Sequence, residues 1–297
     1  MSDTIEVSRV LQFKGNVIHL WQQSQSVLKG KVREESVTGK AHFFERLGAT
    51  AAVRRTTRHS DTPLVNSQHT RRMVTMVDYE WADLVDQQDK IRLLITPESE
   101  YAINAANAMK RAYDYEVILA MDADAKSGED GSTTVAFTDE DLQDDDNSAA
   151  AVTTAQVAEY KVHLDRADIP ADGRYFVGGN AFASQLLTAS SAPLAASSDY
   201  NTVKALVKGE LNTWLGFEWL FINSDEVIPH ISGDSNDKYA YFFHRDAIGV
   251  AMGKDMMVKI DQRADKSYAT QVYLCQTMGA TRIQAGVARM RYNDNLS

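Results

Sequence analysis

A single cysteine and five prolines are spread over 297 residues, and the familiar catalytic signatures are missing. One cysteine excludes an internal disulfide. Cys275 ends the apolar run Val272–Cys275 and is expected to be a buried, inert thiol. No apolar run approaches the ~20 residues that span a bilayer. The start, MSDTIEVSRVLQF, lacks the basic segment and apolar block of a signal peptide. The chain is therefore expected to stay in the cytoplasm where it is made, with no membrane partner. Seven histidines (His19, His42, His59, His69, His163, His230 and His244) are scattered, and HExxH does not occur. The common zinc sites are thereby disfavoured. GxGxxG, GxSxG and GxxxxGK[ST] are also missing; GVAMGK, ending at Lys254, has the wrong glycine spacing and is followed by Asp255. Asp122, Asp124 and Asp130 are spaced somewhat like a calcium loop. Lys126 and Ser127, however, stand where a ligand and a glycine are required. No catalytic residue, cofactor or metal ligand is assigned, and an enzyme is not expected.

What is present is an uneven distribution of charge. The net charge is −10, whereas a protein built to grip nucleic acid usually carries a basic face. Between Ala41 and Val77 stand six arginines and two acids, Glu45 and Asp61. Between Asp122 and Asp146 the balance is acidic, ending in Asp139, Glu140, Asp141, Asp144, Asp145 and Asp146. Such polarity suits head-to-tail association between copies. Arg54, Arg55, Arg58, Arg71 and Arg72 are the candidate contacts to carboxylates of a neighbouring copy, with phosphate as the alternative ligand.

The longest regular pattern runs from Thr96 to Lys126. Thr96 suits an N-cap, Pro97 a first helical position, and Glu98 and Glu100 the positive end of the dipole. Tyr101, Ala105, Ala108 and Ala112 recur at helical spacing, continued by Tyr113, Val117 and Met121. About 30 residues at 1.5 Å rise give a rod on the order of 45 Å. Before it, residues 1–40 read as an arm, with Val17, Leu20, Trp21 and Leu28 in a diluted amphipathic pattern. Residues 41–78 read as a long two-stranded excursion about a turn at Ser60–Pro63, with too little apolar surface to stand alone. Trp81, Leu84 and Val85 suggest a short helix or turn. After the rod, Lys126–Phe137 is expected to give turns and one short strand, and Asp139–Asp146 is expected as a solvated loop.

Further helices are expected over Thr153–Asp168, Asn180–Leu187 and Asn201–Leu215, the last closed by Gly216, with a short one over His244–Ala251. Strands are expected at Arg174–Gly178, Phe217–Ile222, Tyr239–Phe243, Tyr268–Cys275 and Arg282–Met290.

The order of these segments, with DIPADGRYFVGGNAFASQLL, LVKGELNTWLGFEWLFINSDEVIP, YAYFFHRDAIGVA and GATRIQAGVARMRY, resembles the major capsid protein of tailed bacteriophages. The resemblance implies the Hong Kong 97-type α+β fold. Its N-terminal arm would be 1–40 and its extended loop 41–78. A peripheral domain would comprise 79–149 and 252–297, with the spine helix 96–126, and an axial domain 150–251. It further implies hexamers and pentamers in an icosahedral shell enclosing double-stranded DNA. The implied partners are copies of itself, a portal protein, a separate scaffolding protein and a decoration protein. Some relatives cross-link through a loop lysine; Ala41–Asp89 contains none, so that bond is not expected here. The competing readings are an encapsulin-like cargo shell and a cytosolic enzyme or nucleic-acid-binding protein.

Overall fold

A computed structural model describes residues 22–59, 61–86, 97–140, 144–145, 152–188, 212–222, 225–231 and 236–293. The expectations for Val17, Leu20, Trp21, Thr96, Ser60 and the helix from Asn201 to 211 fall outside them. The long helix, α1 (Pro97–Asp122), spans 26 residues. Ala105, Met109, Tyr113, Val117 and Met121 repeat every four positions and are all buried; that spacing places them on one face. Tyr101, expected on the same stripe, is exposed. The helix ends four residues earlier than the sequence suggests. Asp122 and Asp124 favour non-helical backbone, and Ala125–Ser127 leave the helix as a strand.

That strand, β5, belongs to a sheet of order β2-β3-β5-β6, with β2 (Ala41–Leu47), β3 (His69–Thr75) and β6 (Thr133–Val135). Two short strands therefore follow the helix where one was expected. The expected excursion is present, but only its base is paired. Ala41 faces Thr75 and Leu47 faces His69, and Gly48 N–H donating to the Gln68 carbonyl closes the ladder.

A second sheet, of order β1-β12-β13-β4, lies against α1. It contains β1 (Arg33–Ser36), β4 (Val77–Val85), β12 (Ile248–Arg263) and β13 (Ala269–Arg282). Val272 and Leu274 on β13 pack on Ala105 and Met109. Three expectations change here. Residues 79–85 form a strand, not a short helix: Asp78, Glu80, Ala82 and Leu84 are exposed while their neighbours turn inward, the two-residue period of a strand. From His244 to Ala251 only Arg245–Ala247 makes a 3₁₀ turn, and Ile248 begins a 16-residue strand. The chain also runs straight through Thr277–Ala280. Those residues are paired on β12, and Thr277 and Met278 also on β4, and this pairing on both sides outweighs the glycine there. The last strand, β14, is accordingly Val287–Asn293. Cys275 is half-buried on β13, more exposed than its apolar run suggests.

The third sheet has the order β7-β14-β11-β8-β10-β9, with β7 (Asp144–Asp145), β8 (Arg174–Gly178), β9 (Thr213–Trp214), β10 (Phe217–Phe221) and β11 (Asp237–His244). On it pack α2 (Thr154–Arg166) and α3 (Asn180–Thr188). Thr153 caps α2 in a reciprocal capping box with Gln156, as Thr-x-x-Gln allows. Val157, Tyr160 and Leu164 bury against Phe176, Phe217 and Phe242. Thr213–Leu215, expected to finish a helix, instead form a hairpin with β10. Leu215 and Gly216 both take positive φ, +51° and +83°, and Trp214 pairs with Phe217. This is the two-residue turn whose twist matches a β-ribbon, so Gly216 serves a hairpin, not a helix end.

The main core joins these parts. Tyr113, Val117 and Met121 of α1 meet Val177, Tyr241 and Phe243 of the six-stranded sheet and Val250 and Met278 of the four-stranded one. Leu28 and Val32 of the arm are buried in the same cluster.

Candidate inter-subunit surface

Beyond Leu47 and His69 the excursion has no further strand among its described residues. Arg54, Arg55 and Arg58 all lie exposed on it. Arg55 Nε donates to the Thr57 carbonyl at 2.9 Å, which holds the local chain. Leu47, Val53, Leu64 and Val65 are exposed on the same excursion, Leu64 to 92%. A segment that shows both cations and large apolar groups to water has the composition of an interface core and rim.

Arg71 and Arg72 behave differently because neighbours on a strand point to opposite faces. Arg71 is half-buried, with its guanidinium 5.3 Å from the centre of the Phe43 ring. Arg72 is only 2% exposed. Its Nε donates to the Ile283 carbonyl at 3.4 Å, an acceptor it shares with Arg46 Nη1 at 2.7 Å. Burial, with the nearby charges of Arg46 and Arg282, pulls the Arg72 guanidinium down to about 10. The expectation that Arg72 reaches a neighbouring copy therefore gives way: it fastens the excursion's base to the body of its own chain.

Of the acidic residues, Asp139 and Glu140 end a 3₁₀ turn, Phe137–Glu140. Asp144 and Asp145 are not loop but β7, paired in parallel with Arg289 and Met290 at the edge of the six-stranded sheet. Asp141 and Asp146 fall outside the described residues. Asp144 and Asp145 lie on the six-stranded sheet, whereas Arg71 and Arg72 lie on β3 of the β2-β3-β5-β6 sheet.

Two groupings escaped the sequence reading. Asp114, inside the apolar half of α1, is fully buried and accepts hydrogen bonds from the arm. The signal was a charged residue among Tyr113, Val117 and Ile118. Arg289 bonds Asp122 at the end of α1 and lies over the Phe137 and Tyr239 rings, at 4.5 and 4.7 Å. It thereby ties the helix to the six-stranded sheet, and no local pattern announces it. Among the described residues no cluster of three His, Cys, Asp or Glu side chains could hold a metal, and no helix is long and apolar enough to cross a membrane.

The fold has solved counterparts. The capsid structure of cyanophage P-SCSP1u superposes with a TM-score of 0.69 at 12% identity, covering 97% of this chain and 94% of that chain. The capsid of Ralstonia phage GP4 gives 0.68 at 11%, covering 98% and 97%. Mycobacterium phage Che8 gives 0.65 at 15%, covering 93% and 94%. No curated protein matches the sequence. The sequence itself matches the phage capsid protein family over residues 5–293. A match of that extent, on an α+β fold shared with phage capsids and with an exposed basic excursion, means that the chain belongs to the phage capsid protein family.

Proposed function

We propose that the chain is the repeating unit of a tailed-phage head. Copies form hexamers and pentamers that tile an icosahedral shell around double-stranded DNA. The role is structural, not catalytic, and assembly takes place in the host cytoplasm before the protein resides in the virion. Residues 1–40 serve as arm and 41–78 as the loop laid over the adjacent copy. Residues 79–149 and 252–297 form the peripheral domain and 150–251 the axial one. β14 hydrogen-bonds into the sheet of the axial strands, so it links the two domains. A portal, a separate scaffolding protein and a decoration protein are the other partners. The family match from residue 5 to 293 carries this reading. Negative-stain electron microscopy of the expressed protein tests it: shells or capsomers are expected, and a persistent monomer counts against it.

The loop's exposed cations, Arg54, Arg55 and Arg58, would pair with carboxylates of the next copy, with Asp139, Glu140, Asp141, Asp144, Asp145 and Asp146 as the proposed acceptors. Arg71, half-exposed, adds to them. Each exposed pair contributes only ~0–1 kcal/mol, so several must act together. Changing Arg54, Arg55 and Arg58 together to Gln is expected to lower particle yield and flatten its dependence on salt. Sedimentation across a salt series measures this, and an unchanged yield with unchanged salt dependence refutes it. Arg72→Gln is expected to act differently, lowering the stability of the single chain because it removes a buried partner of the Ile283 carbonyl.

A further inference from the structure

Asp114 gathers the arm. Its Oδ1 accepts from Ser26 Oγ at 2.5 Å and from Leu28 N–H at 3.1 Å. Its Oδ2 accepts from Gln23 Nε2 at 2.5 Å and from Val27 N–H at 2.9 Å. Four donors from one six-residue stretch thus converge on one carboxylate that the solvent does not reach. Burial pushes this carboxyl up while the four donors oppose the shift. Neighbouring turns of α1 reinforce the hold: Lys110 Nζ donates to the Ser24 carbonyl at 2.8 Å, and Arg111 Nη1 to Gln22 Oε1 at 2.9 Å.

Apolar burial, by contrast, begins only at the end of this stretch, where half-buried Val27 packs against the main core. Ser24 and Gln25 are exposed, and Gln22, Gln23, Ser26 and Val27 are half-buried. Leu28 and Val32 are the first fully buried side chains, and from Arg33 the chain is fixed as β1 against β12. Residues 22–26 are thus fastened by polar bonds converging on one helix face, Val27 by two of its own contacts, its amide to Asp114 and its side chain to the core, and residues 28–36 by the core.

We propose that residues 22–27 form a strap that opens and closes on the spine helix independently of the core, with Asp114 as its latch and the Val27–Leu28 peptide as its pivot. Opening turns the Val27–Leu28 peptide, breaks the hydrogen bonds at Asp114 and leaves the Leu28 side chain, Val32 and β1 in place. The N-terminal arm can then be redirected without unfolding the domain.

The Val27 and Leu28 amides are themselves latch donors, so their hydrogen exchange in the full-length chain reads the open population directly. In Asp114→Ala their exchange is expected to quicken by about thirtyfold, given hydrogen bonds to a charged acceptor. Amides of β12 and β13 should keep their wild-type rates. Ser26→Ala and Gln23→Ala remove donors on the strap without touching the helix. Each is expected to quicken the same amides by roughly threefold to tenfold. These two variants decide the matter if Asp114→Ala fails to fold. Wild-type exchange at Val27 and Leu28 in the variants overturns the proposal. So does acceleration that spreads equally into β12 and β13, because the strap would then not be a separate unit.

Discussion

Ala112→Pro is expected to abolish particle formation while leaving much of the protein soluble. Ala112 lies in the middle of α1. Proline there removes one helical hydrogen bond and its ring strikes the preceding turn, at a cost of ~3 kcal/mol or more. The kink would fall between Ala105 and Met109, which pack on β13, and Tyr113, Val117 and Met121, which pack in the main core. It would also shift Asp114 away from the arm and Asp122 away from Arg289, so the arm attachment and the one at the helix's C-terminal end are lost together. Electron microscopy of the variant, with circular dichroism to confirm retained strand content, measures this. Normal particles would show that an unbroken α1 is not required for assembly.

Phe176→Ala is expected to destabilise the chain by ~3–5 kcal/mol and to lower its melting temperature by on the order of 10 °C. Phe176 is fully buried on β8, in the middle of the six-stranded sheet. Its ring centre lies 4.1 Å from Trp219, 4.7 Å from Phe182 and 4.8 Å from Phe242. These rings come from β10, α3 and β11, so one deletion opens a cavity where a helix and three strands meet. Phe176→Leu keeps most of the apolar volume and is expected to cost less. Thermal unfolding of the two variants beside the wild type gives both numbers, and equal melting temperatures would mean that the cluster is not the centre of this core.

Elements with strong local patterns were legible before any coordinates. The strand Arg174–Gly178 has the expected bounds. The helix after Thr153 buries the Val157, Tyr160 and Leu164 that its helical spacing implies. The fold class and the family also followed from the order of such segments. The exposure of Arg54, Arg55 and Arg58 agrees with the scarcity of apolar residues around them. The burial of Arg72 was not visible, because Arg71 and Arg72 look alike until the strand's pleat assigns one to each face. Asp144 and Asp145 read as solvated because nothing nearby reveals that β14, far along the chain, supplies their backbone partner.

By itself, then, the sequence determined the long helix, the helix α2, the aromatic strands, the charge asymmetry and the absence of a recognisable catalytic motif. Each depends on residues within a few turns of one another, where periodicity and capping act. The tertiary structure alone decided that residues 77–85 are a strand, that β12 extends for 16 residues, and that Asp114 holds the arm. Tyr273 donates to Glu80 across 193 positions of sequence, and Leu28 reaches Asp114 across 86. Contacts at such separations impose pairing and burial on segments whose own propensities are weak, and that pairing exists only once the chain is folded.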